Sequence, residues 1–140
     1  MAKNQYHEYL KQVPLFADLD RRELDHVSQA ATDLELEPGN VLMREGSMAN
    51  EMVIVVEGTL EVTREGQHVA DIESGGFAGE MALLTHSHRH ATVTTKTKCS
   101  VLHIDGRAFS VLLEDVPEIA VKMLPIVAGR VTANSIEHSD

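Results

Sequence analysis

The sequence predicts a mainly β fold, a sandwich or jelly-roll barrel with helices at both ends of the chain. Three observations predict it. A helical period ends near Pro38-Gly39-Asn40, a series of short β-branched runs punctuated by turns follows, and a helical period returns after Asp105.

The elements follow in order. Asp20-Arg21-Arg22-Glu23 has the form of a capping box, in which the Asp carboxylate takes a backbone N–H and the Glu carboxylate reaches back. Leu24, Val27, Ala31 and Leu34 then recur at helical spacing, so a helix is expected from about Arg21 to Thr32, with a weaker one around Asn4 to Gln12. Beyond the Pro-Gly break, Val41-Leu42-Met43, Glu51 to Val56, Leu60-Glu61-Val62 and Val69 to Ile72 read as short strands. Glu57-Gly58 and Glu65-Gly66 sit where two-residue hairpin turns need a residue tolerant of positive φ, which suggests a meander. Ala91 to Thr95 and Ser100 to Ile104 add two more β-branched runs, joined by the polar Lys96-Thr97-Lys98 turn. Roughly eight short strands with such punctuation are what a sandwich or jelly roll needs.

Asp105 can cap a helix whose Phe109, Leu112, Leu113 and Val116 share one face, and Pro117 suits the first turn of another. Ile119, Met123, Ile126 and Val127 continue the apolar stripe. Pro125 has no amide hydrogen and crowds the turn before it, so a kink or break is expected there, leaving 126 to about 136 able to move separately.

Composition excludes several functions. The chain has 140 residues, enough for one domain with a core. Twelve basic against twenty-two acidic residues give a net charge of −10, which repels phosphate backbones, so no nucleic acid partner is expected. One cysteine, Cys99, permits neither an intrachain disulfide nor a cysteine zinc cage, and its setting suggests a small core residue in a reducing, cytoplasmic protein. Lys3, His7, Glu8 and Lys11 interrupt the N-terminus where a secretory signal would be apolar. The longest strongly apolar run, Met52 to Val56, falls far short of the roughly 20 residues of a spanning helix, so no membrane partner is expected. No G-x-S-x-G elbow, Walker loop or H-E-x-x-H pair is present, and the chain is not expected to be an enzyme.

The candidate chemistry lies in Gly75 to Thr95, GGFAGEMALLTHSHRHATVTT. A glycine at the mouth of a helical turn lets backbone approach a ligand, and the free N–H groups there favour an anion. Gly79 and the turn from Glu80 fit this. A carboxylate beside an anion-binding turn repels phosphate, so Glu80 is better suited to accepting hydrogen bonds from sugar hydroxyls. Arg89 can make planar, charge-assisted contacts to phosphate oxygens. The plainer reading is that Glu80 and Arg89 simply pair with each other across a polar gap.

Phe77 to Leu84 followed by Arg89 and Ala91-Thr92-Val93 resembles the phosphate-binding cassette of the cyclic nucleotide-binding domain family, of the cyclic AMP receptor and protein kinase regulatory-subunit type. Val13 to Leu19 resembles that family's opening turn. Glu37 to Gly46 and Ile54 to Val62 resemble its first barrel strands. The resemblance implies a double-stranded β-helix barrel with N-terminal helices over about 1–32, the barrel over about 33–104 and C-terminal helices over about 105–140, as one domain spanning 1–140. It implies a cyclic nucleotide site formed by Gly79, Glu80, Met81, Ala82, Arg89, His90 and Ala91, with Glu80 on the ribose 2′-hydroxyl and Arg89 on the phosphate. Cyclic AMP is the expected ligand ahead of cyclic GMP, and no metal is expected. The base would be capped near Arg130, Val131 and Asn134. Signalling would run through rearrangement of the C-terminal helices, with Pro125 and Gly129 as points of compliance, to a homodimer partner or an unknown effector protein. The segment after Ile104 reads as the family's own helices, so a stand-alone sensor is expected, and Met1 reads as a natural start.

Two departures bear on selectivity. His88 stands where the family usually has proline, and His90 where a small or hydroxyl residue is common. An imidazole is larger and changes between donor, acceptor and cation, so His90 either assists the phosphate or crowds it. Two rival readings remain open: His86, His88 and His90 on alternate positions of an extended strand as a metal site of jelly-roll type, and a degenerate barrel serving only as a protein-interaction or dimerisation module.

Overall fold

A computed structural model describes residues 6–48, 50–79 and 88–137, with the backbone alone for 130–137. Helices α1 (His7–Gln12) and α2 (Arg21–Ala30), separated by a 3-10 turn at Pro14–Phe16, precede the strands. Strands β1 (Thr32–Leu36), β2 (Val41–Met43), β3 (Glu51–Glu57), β4 (Leu60–Arg64), β5 (Gln67–Ile72), β6 (Phe77–Ala78), β7 (Thr92–Thr95) and β8 (Cys99–Asp105) follow, and α3 (Gly106–Asp115) and α4 (Pro117–Glu137) come last. The strands form two antiparallel sheets, ordered β1-β8-β3-β6 and β2-β7-β4-β5. This is the expected mainly β architecture with flanking helices.

Side-chain alternation on β3 divides the core in two. Met52, Ile54 and Val56 face the helical layer, where they join Leu10, Phe16, Leu24, Val27, Leu102, Ile104, Phe109, Ile119 and Met123. Val53 and Val55 face the second sheet, with Met43, Leu60, Val93, Cys99 and Val101. A strand buried on both faces has no polar alternation to keep, which is why Met52 to Val56 is continuously apolar. Cys99 is a buried core residue, and its Sγ donates to the carbonyls of Thr97 at 3.2 Å and Thr59 at 3.4 Å.

Three expectations need correction. The second helix ends at Ala30, and Leu34 belongs to β1, where it pairs with Val101 and packs with Leu36 on the inter-sheet core. Leu34 and Leu36 are two apart, a strand period that the helical match to Val27 and Ala31 concealed. Glu65-Gly66, with φ of 52° and 79°, is the hairpin turn expected between β4 and β5. Glu57-Gly58 is not a hairpin, because β3 and β4 belong to different sheets and the chain crosses between layers there, so the meander is confined to one hairpin. A Cβ on Gly58 would lie 2.5 Å from the Lys98 carbonyl oxygen, which makes this crossing dependent on glycine. Helix α4 runs unbroken through Pro125. Met123 before the proline is buried and Ile126 and Val127 after it pack on the same core, so both halves are held although one backbone hydrogen bond is forfeited.

The capping box is formed as expected: Glu23 N–H donates to Asp20 Oδ1 and Asp20 N–H to Glu23 Oε1, both at 2.9 Å. The same buried Glu23 Oε1 accepts from Lys122 Nζ of α4 at 2.6 Å, and Arg22 reaches Glu118 at 3.3 Å, so the cap of α2 also anchors α4. Replacing Asp20 by alanine is expected to cost about 1 kcal/mol of stability, read as a lower urea midpoint at unchanged m-value.

Tyr6 is buried and donates its phenolic hydrogen to Asp33 of β1. Burial first, then the Asp33 carboxylate, pushes its pKa up to about 12. An unfolded tyrosine ionises near 10, so the stability associated with the neutral phenol is complete below about pH 10 and is lost as pH rises through the folded value. Absorbance titration of the folded protein should show one of the two tyrosines ionising near pH 12, and Asp33→Asn should bring that step down part of the way.

Candidate functional site

The site is built where the end of β6, the start of β3 and the strand-like segment at 88–89 meet. Arg89 N–H donates to the Ser47 carbonyl at 2.8 Å and Gly46 N–H to the Arg89 carbonyl at 2.9 Å. Segment 44–47 is itself a tight turn, closed by Ser47 N–H and Oγ on the Arg44 carbonyl at 3.1 and 2.6 Å. Thr92 Oγ1 receives Glu45 N–H at 3.0 Å. The backbone of Arg89 is therefore fixed before its side chain is considered.

That side chain is 6% exposed. Nη1 donates to the Gly79 carbonyl at 3.3 Å and Nη2 to the Glu51 carbonyl. Burial lowers the guanidinium pKa and the nearby Glu51 carboxylate raises it. An arginine keeps its proton under such opposing shifts at ordinary pH, so the site presents a cation. Glu51 is in turn held by His103 of β8, with Oε2 and Nε2 3.2 Å apart.

Gly79 has φ of +94°. A Cβ there would lie 2.6 Å from Arg89 Nη1, 2.7 Å from Met43 Cε and 2.8 Å from the Glu51 carbonyl oxygen. The residue thus has to be glycine on conformational and steric grounds together.

Of the residues expected to form the site, Arg89 and Gly79 are in direct contact. Ala91 is half-buried just before β7, and His90 is exposed, with its carbonyl accepting from Arg64 Nε at 3.1 Å. Glu80, Met81 and Ala82 lie outside the described residues, so neither the Glu80–Arg89 pairing nor the Glu80 sugar contact is described. Arg130, Val131 and Asn134 lie on α4, with their side chains outside the described set. His88 is exposed and its backbone bridges to Met48, while His86 lies outside the described residues. Among the described residues no three His, Cys, Asp or Glu side chains gather into a metal-holding group.

Glu51, Ser47 and Arg64 are partners that sequence reasoning did not single out. The first two act through backbone carbonyls, and a carbonyl leaves no trace in residue identity. Arg64 was legible only through its parity on β4.

Comparison with known proteins decides the family. Residues 33–116 match the model of the cyclic nucleotide-binding domain. The chain belongs to this family. This cyclic nucleotide-binding domain is 36% identical, over 79% of its length and 30% of the relative's, to a cAMP-dependent protein kinase regulatory subunit of Yarrowia lipolytica. It superposes with a TM-score of 0.82 and 26% identity on the N-terminal domain of a transcriptional regulator from Streptomyces coelicolor, covering 94% of this chain and 98% of that one. It also superposes on the regulatory domain of Toxoplasma gondii PKA crystallised with cAMP, with a TM-score of 0.73 and 31% identity over 81% of this chain and 45% of that one. The chain spans less than a third of the length of the curated relatives it matches. Among the described residues no helix is long and apolar enough to cross a membrane.

Gly79→Ala forces either Arg89 or Met43 to move and strains the backbone, a cost of about 1–3 kcal/mol. Urea denaturation should show that loss, and Gly39→Ala, at φ +88° with nothing within 4 Å of an added Cβ, is the comparison variant that carries backbone strain without a clash.

Proposed function

We propose that this domain is a regulatory sensor of 3′,5′-cyclic nucleotides, with cyclic AMP preferred over cyclic GMP. The observation that carries the reading is the buried Arg89 guanidinium, held by the neutral carbonyls of Gly79 and Glu51. Among the described residues the guanidinium hydrogen-bonds to neutral oxygens, and a phosphate brings its own charge and offers two oxygens in the geometry of the guanidinium fork. Arg89 then takes the cyclic phosphate, the amides at Gly79, Met81 and Ala82 complete its cradle, and Glu80 accepts from the ribose 2′-hydroxyl. His90 and Ala91 flank the phosphate. Preference for cyclic AMP is supported by the names of the similar regulatory subunit and of the structure crystallised with cAMP.

The reading is non-catalytic and cytoplasmic, and involves neither metal nor nucleic acid. Ligand capture is transmitted through α4, with Pro125 and Gly129 as the compliant points. The recipient is a second copy docked along the C-terminal helices or a separate effector protein. Val121 and Leu124, 65% and 62% exposed on α4, support such a docking face.

Calorimetric titration of nucleotide-free protein with cyclic AMP and cyclic GMP tests this. Saturable binding is expected. Arg89→Ala removes a buried charged partner worth roughly 3–5 kcal/mol, equivalent to a loss of roughly hundreds-fold or more in affinity at about 1.4 kcal/mol per decade. Glu80→Ala should also weaken binding. A folded wild-type protein that binds neither nucleotide would sink the proposal.

A further inference from the structure

Glu51 meets the candidate site with two different groups. Its backbone carbonyl accepts from Arg89 Nη2, while its carboxylate is turned to His103, with Oε2 3.2 Å from Nε2. Alternation explains the placement. Val53 and Val55 of β3, Val101 of β8, and Leu34 and Leu36 of β1 all belong to the inter-sheet core, so Glu51, His103 and Thr32 continue those three rows on the same face, at its polar end. In the β3–β8 register Val53 stands opposite His103 and Glu51 opposite Asp105, which makes Glu51 and His103 diagonal neighbours within reach of each other. Their side chains are 25% and 24% exposed, so water and salt screen the pair weakly.

The carboxylate lies close enough to Arg89 to raise its pKa against the larger lowering by burial. Among the described residues it nevertheless makes its ion pair with His103 and not with the guanidinium. The two positions differ in consequence. A carboxylate on the Arg89 fork would occupy the donors that a phosphate needs, and even where it stands its negative charge opposes an incoming anion. His103 acts on both. A hydrogen at Nε2 holds the carboxylate aside, and a second ring proton offsets its charge. Around the imidazole, β1 presents Thr32 and β3 presents Val53 beside Glu51, with Arg89 beyond the carboxylate. Asp105, two residues on along β8, accepts from Ala108 N–H at 2.7 Å in the cap of α3.

We propose that His103 is a positioning residue of the nucleotide site, which holds the Glu51 carboxylate off the Arg89 fork and, on taking up a proton, raises the affinity for a cyclic nucleotide. This rests on the reading of the pocket as a nucleotide site and adds its regulation by pH. The sign follows from charge. A phosphodiester stays anionic throughout the range in which imidazoles titrate, so the ligand binds better to the domain carrying the imidazolium, and by linkage its binding draws a proton onto His103.

The test is calorimetric titration with cyclic AMP and cyclic GMP at about pH 8 and about pH 5. It compares the wild-type chain, His103→Gln, His103→Ala and the double variant His103→Ala with Glu51→Gln, with circular dichroism as the check on folding. Glutamine keeps a donor near the place of Nε2 and takes up no proton. Wild-type affinity should rise about fivefold at the lower pH, the low end of ordinary coupling, with proton uptake read from the dependence of the heat on the buffer. His103→Gln should bind as the wild-type chain does at the higher pH and lose most of the rise. His103→Ala should bind more weakly at both, and Glu51→Gln in that background should restore the affinity, which a loss of packing alone would not allow. No rise in the wild-type chain, a rise unchanged in His103→Gln, or no rescue by Glu51→Gln overturns the role of His103 and leaves the sensor standing. A folded wild-type chain that binds neither nucleotide overturns both.

Discussion

Because Met52, Ile54 and Val56 face the helices while Val53 and Val55 face the second sheet, β3 is the strand on which both cores close. Each such side chain contributes about 1.5–3 kcal/mol when fully buried, and few other segments of this small chain could be shifted by one residue at comparable cost. A one-residue slip would exchange the two faces and leave both cores mispacked. The site inherits that rigidity. Glu51 begins β3, and Ala78, the residue before Gly79, pairs with Val53 in its middle. Of the two carbonyls that hold Arg89, one therefore begins this strand and the other directly follows the strand paired with it.

Arg89 reverses the usual order in which a buried charge is accommodated. Burial works against the guanidinium, and its contacts at Gly79 and Glu51 are to neutral backbone oxygens, with the Glu51 carboxylate acting through space. Such a group has most of its desolvation cost already met by the fold. The glycine at 79 makes the arrangement sterically admissible, and the turn at 44–47 fixes the backbone from which the arginine projects.

A second connection runs from the N-terminal helices to α4. Glu23 closes the cap of α2 with one carboxylate oxygen and binds Lys122 with the same atom, so the two helices share a buried polar centre beside the apolar contacts of Phe16, Ile119 and Met123. That hydrogen bond raises the Lys122 pKa and keeps the ammonium charged. The first half of α4 is thereby fixed to the body of the domain, while Val121 and Leu124 stay outward.

The sequence by itself determined the local features: the capping box at Asp20 and Glu23, the Glu65-Gly66 hairpin, the helix starts at Asp105 and Pro117, the β period and the cassette that assigns the family. Each is encoded by residues close in the chain, whose spacing and chemistry act before any tertiary contact forms. Leu34 was misassigned because one leucine satisfied both a helical spacing to Val27 and a strand spacing to Leu36, and only its pairing with Val101 separates them. The sheet change at Gly58 was equally hidden, since a glycine turn reads the same whether the next strand pairs with the last or crosses to another layer. The partners of Arg89 were out of reach for a different reason: Glu51 and Ser47 offer backbone carbonyls, which every residue carries. Only the tertiary structure, by choosing which carbonyls lie beside the buried guanidinium, decided how the site is assembled.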